Sequence, residues 1–195
     1  MNNPSSEAYD AGLGVLAYLY NTKDLGLTYG GPPRDCVAPD VSTADRVIIH
    51  SDSSFGNSPY PFNGGFIEFG NAMVASVART SKIVPQSTWE GELDAMVVML
   101  KEGLFAENVL IDMGVKLKTK AIITDAKSAY ETVRNPGPTK KSTHVERRLM
   151  YAREEFLRGK TTCHLVTTDK MMGDAKTKVV DRTKFFKCRQ YEMNE

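Results

Sequence analysis

The sequence predicts an α/β fold in which a mixed five-stranded sheet, three antiparallel strands followed by parallel ones, is flanked by helices. Three short apolar runs between 46 and 80 are separated only by turn residues, the pattern of an antiparallel meander. Two further strand-like runs, "KAIITD" (120–125) and "TTCHLVTT" (161–168), are set apart by helical patterns, as parallel neighbours require. The chain has 195 residues, 41% hydrophobic and 25% charged, which is enough length and apolar content to bury a core.

Taken in order, residues 5–20 ("SSEAYDAGLGVLAYLY") place Ala8, Ala11, Val15, Leu16 and Leu19 at helical spacing behind a Ser-Ser-Glu opening. Asn21-Thr22 ends that helix, and a Gly-Gly-Pro-Pro break makes 30–44 read as a linker. Strands follow in "RVIIHSD" (46–52), "GGFIEFG" (64–70) and "AMVASVART" (72–80), the last two joined at Gly70-Asn71, a hairpin signal. A long helix opens at Ser87-Thr88, with Glu90 completing a capping box and Leu93, Met96, Val97 and Leu100 on one face, and closes near Gly103 or Gly114. "AKSAYETVR" (126–134) is a short helix stopped by Asn135-Pro136-Gly137-Pro138. "STHVERRLMYAREEFLRG" (142–159) is a helix with Val145, Leu149, Ala152, Phe156 and Leu157 inward and Gly159 as its C-cap. "DKMMGDAKTKVV" (169–180) begins a final helix or helical turn opened by Asp174. Domain boundaries are expected at 1–44 for the N-terminal helix and linker, 45–187 for the sheet domain and 188–195 for a C-terminal tail.

Composition narrows the chemistry. Cys36, Cys163 and Cys188 are far apart and form no paired motif, and His50, His144 and His164 lack metal-ligand spacing, so neither a disulfide framework nor a zinc site is expected. Nothing has the form of a signal peptide or a membrane span, so an intracellular, soluble protein is expected. The net charge is only +1, but residues 140–195 hold 14 Lys and Arg against 8 Asp and Glu. That asymmetry suits a basic surface meeting a polyanion beside an acidic cluster meeting cations, or simply a solvated face.

The acids carry the sharper signal. Asp52 ends the first strand, Glu92 lies early in the long helix, Asp125 ends the fourth strand and Asp174 opens the last helical segment. Singly, each also suits an ordinary place: a turn for Asp52, a solvated first turn for Glu92, an N-cap for Asp125 and Asp174. If the first and fourth strands are neighbours, Asp52 and Asp125 end side by side, and Glu92 and Asp174 are brought to the same point. Clustered carboxylates repel unless cations neutralise them, and oxygen-only ligands favour Mg²⁺ or Mn²⁺. Two such ions roughly 3.5–4 Å apart support in-line phosphodiester hydrolysis without a nucleophilic side chain.

Five stretches in this order, "SDSSFG" (51–56), "STWEGELDAM" (87–96), "TDAKSA" (124–129), "THVERRLMYAREE" (143–155) and "GDAKTK" (173–178), resemble the ribonuclease H domain of copia-type LTR retrotransposon polyproteins. "GLGVLAYLYNTKDLGLTYGG" (12–31) resembles the segment that joins reverse transcriptase to that domain. The resemblance implies a ribonuclease H-like fold and hydrolysis of the RNA strand of an RNA–DNA hybrid. It implies two Mg²⁺ (or Mn²⁺) ions held by Asp52, Glu92, Asp125 and Asp174, with Glu92 matching better than Glu90. A reverse transcriptase domain is the implied partner, and a cytoplasmic particle or the nucleus the implied location. Ser53, Ser54 and Ser128 become candidates for sugar or phosphate contacts, and Arg147, Arg148 and Lys176, with Lys116, Lys118 and Lys120, for phosphate contacts. His144 resembles the motif histidine. A module of the same fold that binds nucleic acid or scaffolds without cutting is the alternative reading.

Overall fold

A computed structural model describes residues 3–30, 38, 41, 45–55, 60–135, 137 and 143–194, with the side chains of Thr143 and His144 excepted. Gly56 and Asn57, which mark a turn in the sequence, most of the linker, Cys36 and the prolines at 136 and 138 lie outside the described residues.

Strand β1 (Ile48–Ser54) pairs antiparallel with β2 (Phe62–Phe69), and β2 with β3 (Ala72–Thr80). Gly70 and Asn71, at φ 61° and 69°, make the turn that the sequence marked. Strand β4 (Lys120–Thr124) pairs parallel with β1, and β5 (Thr161–Leu165) parallel with β4, giving the order β3-β2-β1-β4-β5. The alternation along β1 divides the core. Val47 and Ile49 face helices α2 (Thr88–Asp112), α3 (Lys127–Arg134) and α4 (Thr143–Leu157), with Leu93, Met96, Leu100, Val133 and Leu149. Ile48 faces the other side, with Phe66, Ile123, Met171, Met172 and Cys188. A strand buried on both faces reads as the unbroken apolar run seen at 47–49.

Helix α2 is closed at its start by Ser87, whose Oγ accepts from the Glu90 N–H, while Glu90 Oε2 reaches back to the N–H of Gln86 at 2.6 Å. It passes through Gly103, one of its two expected ends, and stops at Gly114. Gly103 serves packing instead: a Cβ there would stand 2.7 Å from Ile49 Cγ1, so its absence lets α2 lie close on β1. Helix α1 (Ser6–Asn21) buries no side chain fully, but Tyr18 meets Phe185 edge-on at 5.7 Å and Thr28 donates to the Met193 carbonyl.

The C-terminal third departs from expectation. Residues 168–176 form two short 3-10 turns, Thr168–Lys170 and Met172–Lys176, so Asp174 sits inside a turn and caps no α-helix. Helix α5 (Arg182–Met193) follows, N-capped by Asp181 through the Lys184 N–H, and it crosses the expected boundary at 187 with Cys188 buried. Its apolar residues, Phe185, Phe186, Cys188, Tyr191 and Met193, are spread around the helix among charged ones, so no amphipathic face marks it in the sequence. Lys120, expected at a phosphate, is instead 1% exposed at the start of β4. Its ammonium lies 2.9 Å from Glu107 and 3.4 Å from Glu155 and donates to the Lys160 carbonyl.

Candidate metal centre

The parallel pairing of β1 with β4 sets their C-terminal ends together, which brings Asp52 beside Asp125, the residue that follows β4. Asp174 arrives from the opposite side on the second 3-10 turn, which packs on β1 and β2. The Gly-Gly of β2 makes this approach possible: a Cβ on Gly64 would stand 2.9 Å from Thr177 Cγ2 and 2.8 Å from the Val77 carbonyl oxygen. One ligand oxygen from each of Asp52, Asp125 and Asp174 lies within 4.8 Å of the other two, with Asp52 and Asp174 buried. Thr177 fixes the turn to the strand, donating its hydroxyl to Asp52 Oδ2 and its N–H to the Asp174 carbonyl.

Glu92, on the first turns of α2, is 9% exposed and its Oε2 has no hydrogen-bond partner. It lies outside the 4.8 Å group but within its field. Burial first, then Asp52 and Asp125, push its carboxyl up to about 9. Burial also lifts Asp52 to about 6, against the Thr177 hydrogen bond and the Lys178 charge that favour its ionised form. An all-carboxylate donor set, with protonation forced by burial and mutual repulsion and one orphaned oxygen, fits a hard divalent cation, which would relieve each of these costs.

These shifts have a consequence for stability. In the unfolded chain the two carboxyls ionise near their ordinary 3.8 and 4.5, whereas in the fold they hold their protons to about 6 and about 9. Between those limits the folded state binds more protons, so the metal-free protein is expected to lose stability as pH rises through that window. Thermal denaturation in a chelator should show Tm falling from pH ~5 to ~9, and Mg²⁺ should flatten the slope. A Tm independent of pH in the chelator would contradict the burial of these acids.

The remaining expected site residues are spread around this point. Ser53 is buried, with its Oγ 3.3 Å from Asn63 Oδ1; Ser54 is half-buried, and Ser128 is exposed on the first turn of α3. Arg147 is exposed on α4, whereas Arg148 Nε lies 2.9 Å from Asp94 Oδ1, and Lys176 Nζ lies 2.7 Å from Glu192 Oε2. Lys116 is exposed and Lys118 pairs with Asp45 at 2.7 Å. Asp94 is buried and also accepts from Asn63 Nδ2 and Ser81 Oγ. Beside it opens a cleft of about 240 Å³ lined by Arg79, Lys82, Lys101 and Arg148. Burial pushes the Cys163 thiol up to about 12, which removes it as a nucleophile at neutral pH. Sequence reasoning missed Thr177, Lys178 and the cationic cleft, because no local pattern shows which distant carboxylate a side chain will meet.

No protein-family model matches the chain. Its homologues are retrotransposon polyproteins. It is 27% identical over 192 residues to the retrovirus-related Pol polyprotein from transposon TNT 1-94 of Nicotiana tabacum, a match covering 97% of this chain. It is 21% identical over 178 residues, 90% of the chain, to the transposon Ty1-ER2 Gag-Pol polyprotein of Saccharomyces cerevisiae. The chain spans 14% and 10% of the length of those two relatives. Among solved structures, LC11-RNase H1 in complex with an RNA/DNA hybrid superposes with a TM-score of 0.51 at 13% identity, over 68% of this chain and 94% of that one. The N-terminal RNase H domain of rv2228c from Mycobacterium tuberculosis gives 0.50 at 14% identity, over 75% and 98%. The fold is that of ribonuclease H, with the sheet order and mixed pairing described above. Among the described residues no helix is long and apolar enough to cross a membrane.

Proposed function

We propose that this chain is the ribonuclease H domain of a copia-type retrotransposon polyprotein and hydrolyses the RNA strand of RNA–DNA hybrids. The observation that carries the reading is the convergence of Asp52, Asp125 and Asp174 from three separate segments to within 4.8 Å, with Glu92, whose buried Oε2 has no hydrogen-bond partner, within their field. Those four acids would hold two Mg²⁺ or Mn²⁺ ions. Bound there, the ions would activate a water and stabilise the leaving oxygen of a phosphodiester. The chain's own groups prepare the site: Thr177 orients the Asp52 carboxylate through its hydroxyl, and the buried pairing of β1 with β4 sets Asp52 in β1 beside Asp125, the residue that follows β4. Rigid placement of this kind is what in-line displacement needs.

The duplex would lie across the end of the sheet. Asn63, which pairs with Ser53 in the register of β1 and β2, lines the cleft of Arg79, Lys82 and Lys101. A backbone phosphate in that cleft would sit one strand over from the acids. Ser54, two residues after Asp52, and Ser128, three after Asp125, would make the sugar contacts, where a 2′-hydroxyl separates RNA from DNA. The ribonuclease H unit in this reading begins near residue 45 and runs through α5. Residues 1–44 form the segment that would lead from a reverse transcriptase domain.

The test is cleavage of a labelled RNA–DNA hybrid in Mg²⁺, with duplex RNA and duplex DNA as controls. RNA-strand cleavage confined to the hybrid is expected, and equal cutting of duplex RNA would overturn the substrate assignment. A second reading, hybrid binding without cleavage, draws on Lys178 and Lys184, whose ammonium groups stand against the Asp174 carboxylate. It predicts salt-dependent binding and no products in Mg²⁺.

A further inference from the structure

Two lysines approach Asp174, and they differ in kind. Lys184 Nζ lies 3.3 Å from Asp174 Oδ2, but it also donates to the carbonyls of Thr168 at 2.8 Å and Asp169 at 3.1 Å. It ties α5 to the first 3-10 turn and is held by backbone. Lys178 meets only carboxylates among the described residues: its Nζ lies 2.8 Å from Asp174 Oδ1 and 3.6 Å from Asp52 Oδ2. One ammonium thus bridges two acids that come from segments far apart in sequence.

We propose that Lys178 is the resident counter-ion of this cluster, holding a divalent-cation position between Asp52 and Asp174 until a metal displaces it. The inference rests on the metal-site reading of the four acids. Its physical basis is that the ammonium and a divalent ion compete for the same two oxygens, and two cations a few ångströms apart in a partly buried site repel strongly. Lys178 is free to leave: its side chain is 39% exposed, it lies in the loop between the 3-10 turn and α5, and a flexible four-carbon stem carries its charge. While it stays, it lets Asp52 and Asp174 remain side by side without metal, since their repulsion is offset from within the chain. The site would therefore be preformed, with a metal threshold set by the lysine.

Calorimetric titration of Mg²⁺, repeated with Mn²⁺, into the metal-free full chain tests this. Lys178→Met, and Lys178→Gln as a second neutral variant, are expected to bind the ion on the order of tenfold more tightly than the parent, the scale of coupling between ligands that exclude one another. Lys178→Arg, which keeps the charge, should stay near the parent. In chelator the neutral variants should melt below the parent, and saturating Mg²⁺ should close or reverse that gap; a lysine with a merely structural role would lower both melting points alike. Equal or weaker Mg²⁺ binding by both neutral variants, with the parent binding normally, would overturn the counter-ion role while leaving the metal centre intact. Absence of Mg²⁺ binding by parent and variants alike would overturn both.

Discussion

Replacing Asp52 with asparagine is expected to reduce Mg²⁺-dependent cleavage of an RNA–DNA hybrid by at least roughly 10³-fold while leaving the metal-free protein as stable as before, or more so. The activity loss follows from geometry. Asp52 is the carboxylate that neighbours Asp125 across the parallel pair and meets the turn carrying Asp174, so it is central to the group. The stability result follows from charge. Burial already holds the Asp52 carboxyl up at about 6, with Asp174 and Asp125 adding to the cost of ionising it. An asparagine removes that repulsion, and its carbonyl oxygen can still accept the Thr177 hydroxyl. Rates on hybrid, with melting curves in chelator, measure the two effects together. Cleavage within about tenfold of the parent would sink the assignment, because a metal-bridging carboxylate cannot be exchanged for an amide so cheaply.

The largest expected effect on stability lies away from the site, at Lys120. Its ammonium is enclosed between Glu107 and Glu155, whose side chains are 17% and 11% exposed, and it donates to the Lys160 carbonyl that leads into β5. Lys120→Met would bury two carboxylates facing an apolar stem. Removing one partner from such an arrangement costs about 3 kcal/mol or more, since the remaining charges are left without compensation. For a chain of this size that corresponds to a fall in Tm of roughly 6–12 °C. Adding Glu107→Gln and Glu155→Gln should recover part of the loss, because it removes the orphaned charges. Hybrid cleavage at low temperature should remain, which separates this structural lysine from one that meets phosphate. An unchanged Tm would show that Lys120 is not enclosed.

Lys120 shows where the sequence stops being informative. Strands and most helices were legible because their signals are local: the 47–49 run, the Gly70-Asn71 turn, the Ser87 cap, and the apolar face of α4. The positions of Asp52 and Asp125 followed from strand order, once the first and fourth strands were taken as neighbours. Lys120 reads as a surface residue because lysine is almost never enclosed unless paired, and its partners come from α2 and α4. Nothing local in the α2 sequence distinguishes Asp94, yet Asn63, Ser81 and Arg148 converge on it from β2, the β3 end and α4. Helix α5 escaped because its residues dock through a mixed set of contacts, including the Lys176–Glu192 pair and the Tyr191 hydroxyl that donates to Glu68. Long-range ion pairs leave no periodic trace, so what went unread was the electrostatic wiring between elements.

The measurement that bears most directly on the metal centre is diffraction from crystals of the chain soaked in Mn²⁺, with the anomalous signal locating the ions. Two peaks roughly 3.5–4 Å apart are predicted, in contact with the carboxylates of Asp52, Asp125 and Asp174 and with Glu92 reaching the nearer one. Lys178 would be swung away from Asp52 in that structure. No peak at the cluster, with Lys178 still bridging Asp52 and Asp174 at saturating Mn²⁺, would contradict the metal centre and leave the fold without the site proposed for it.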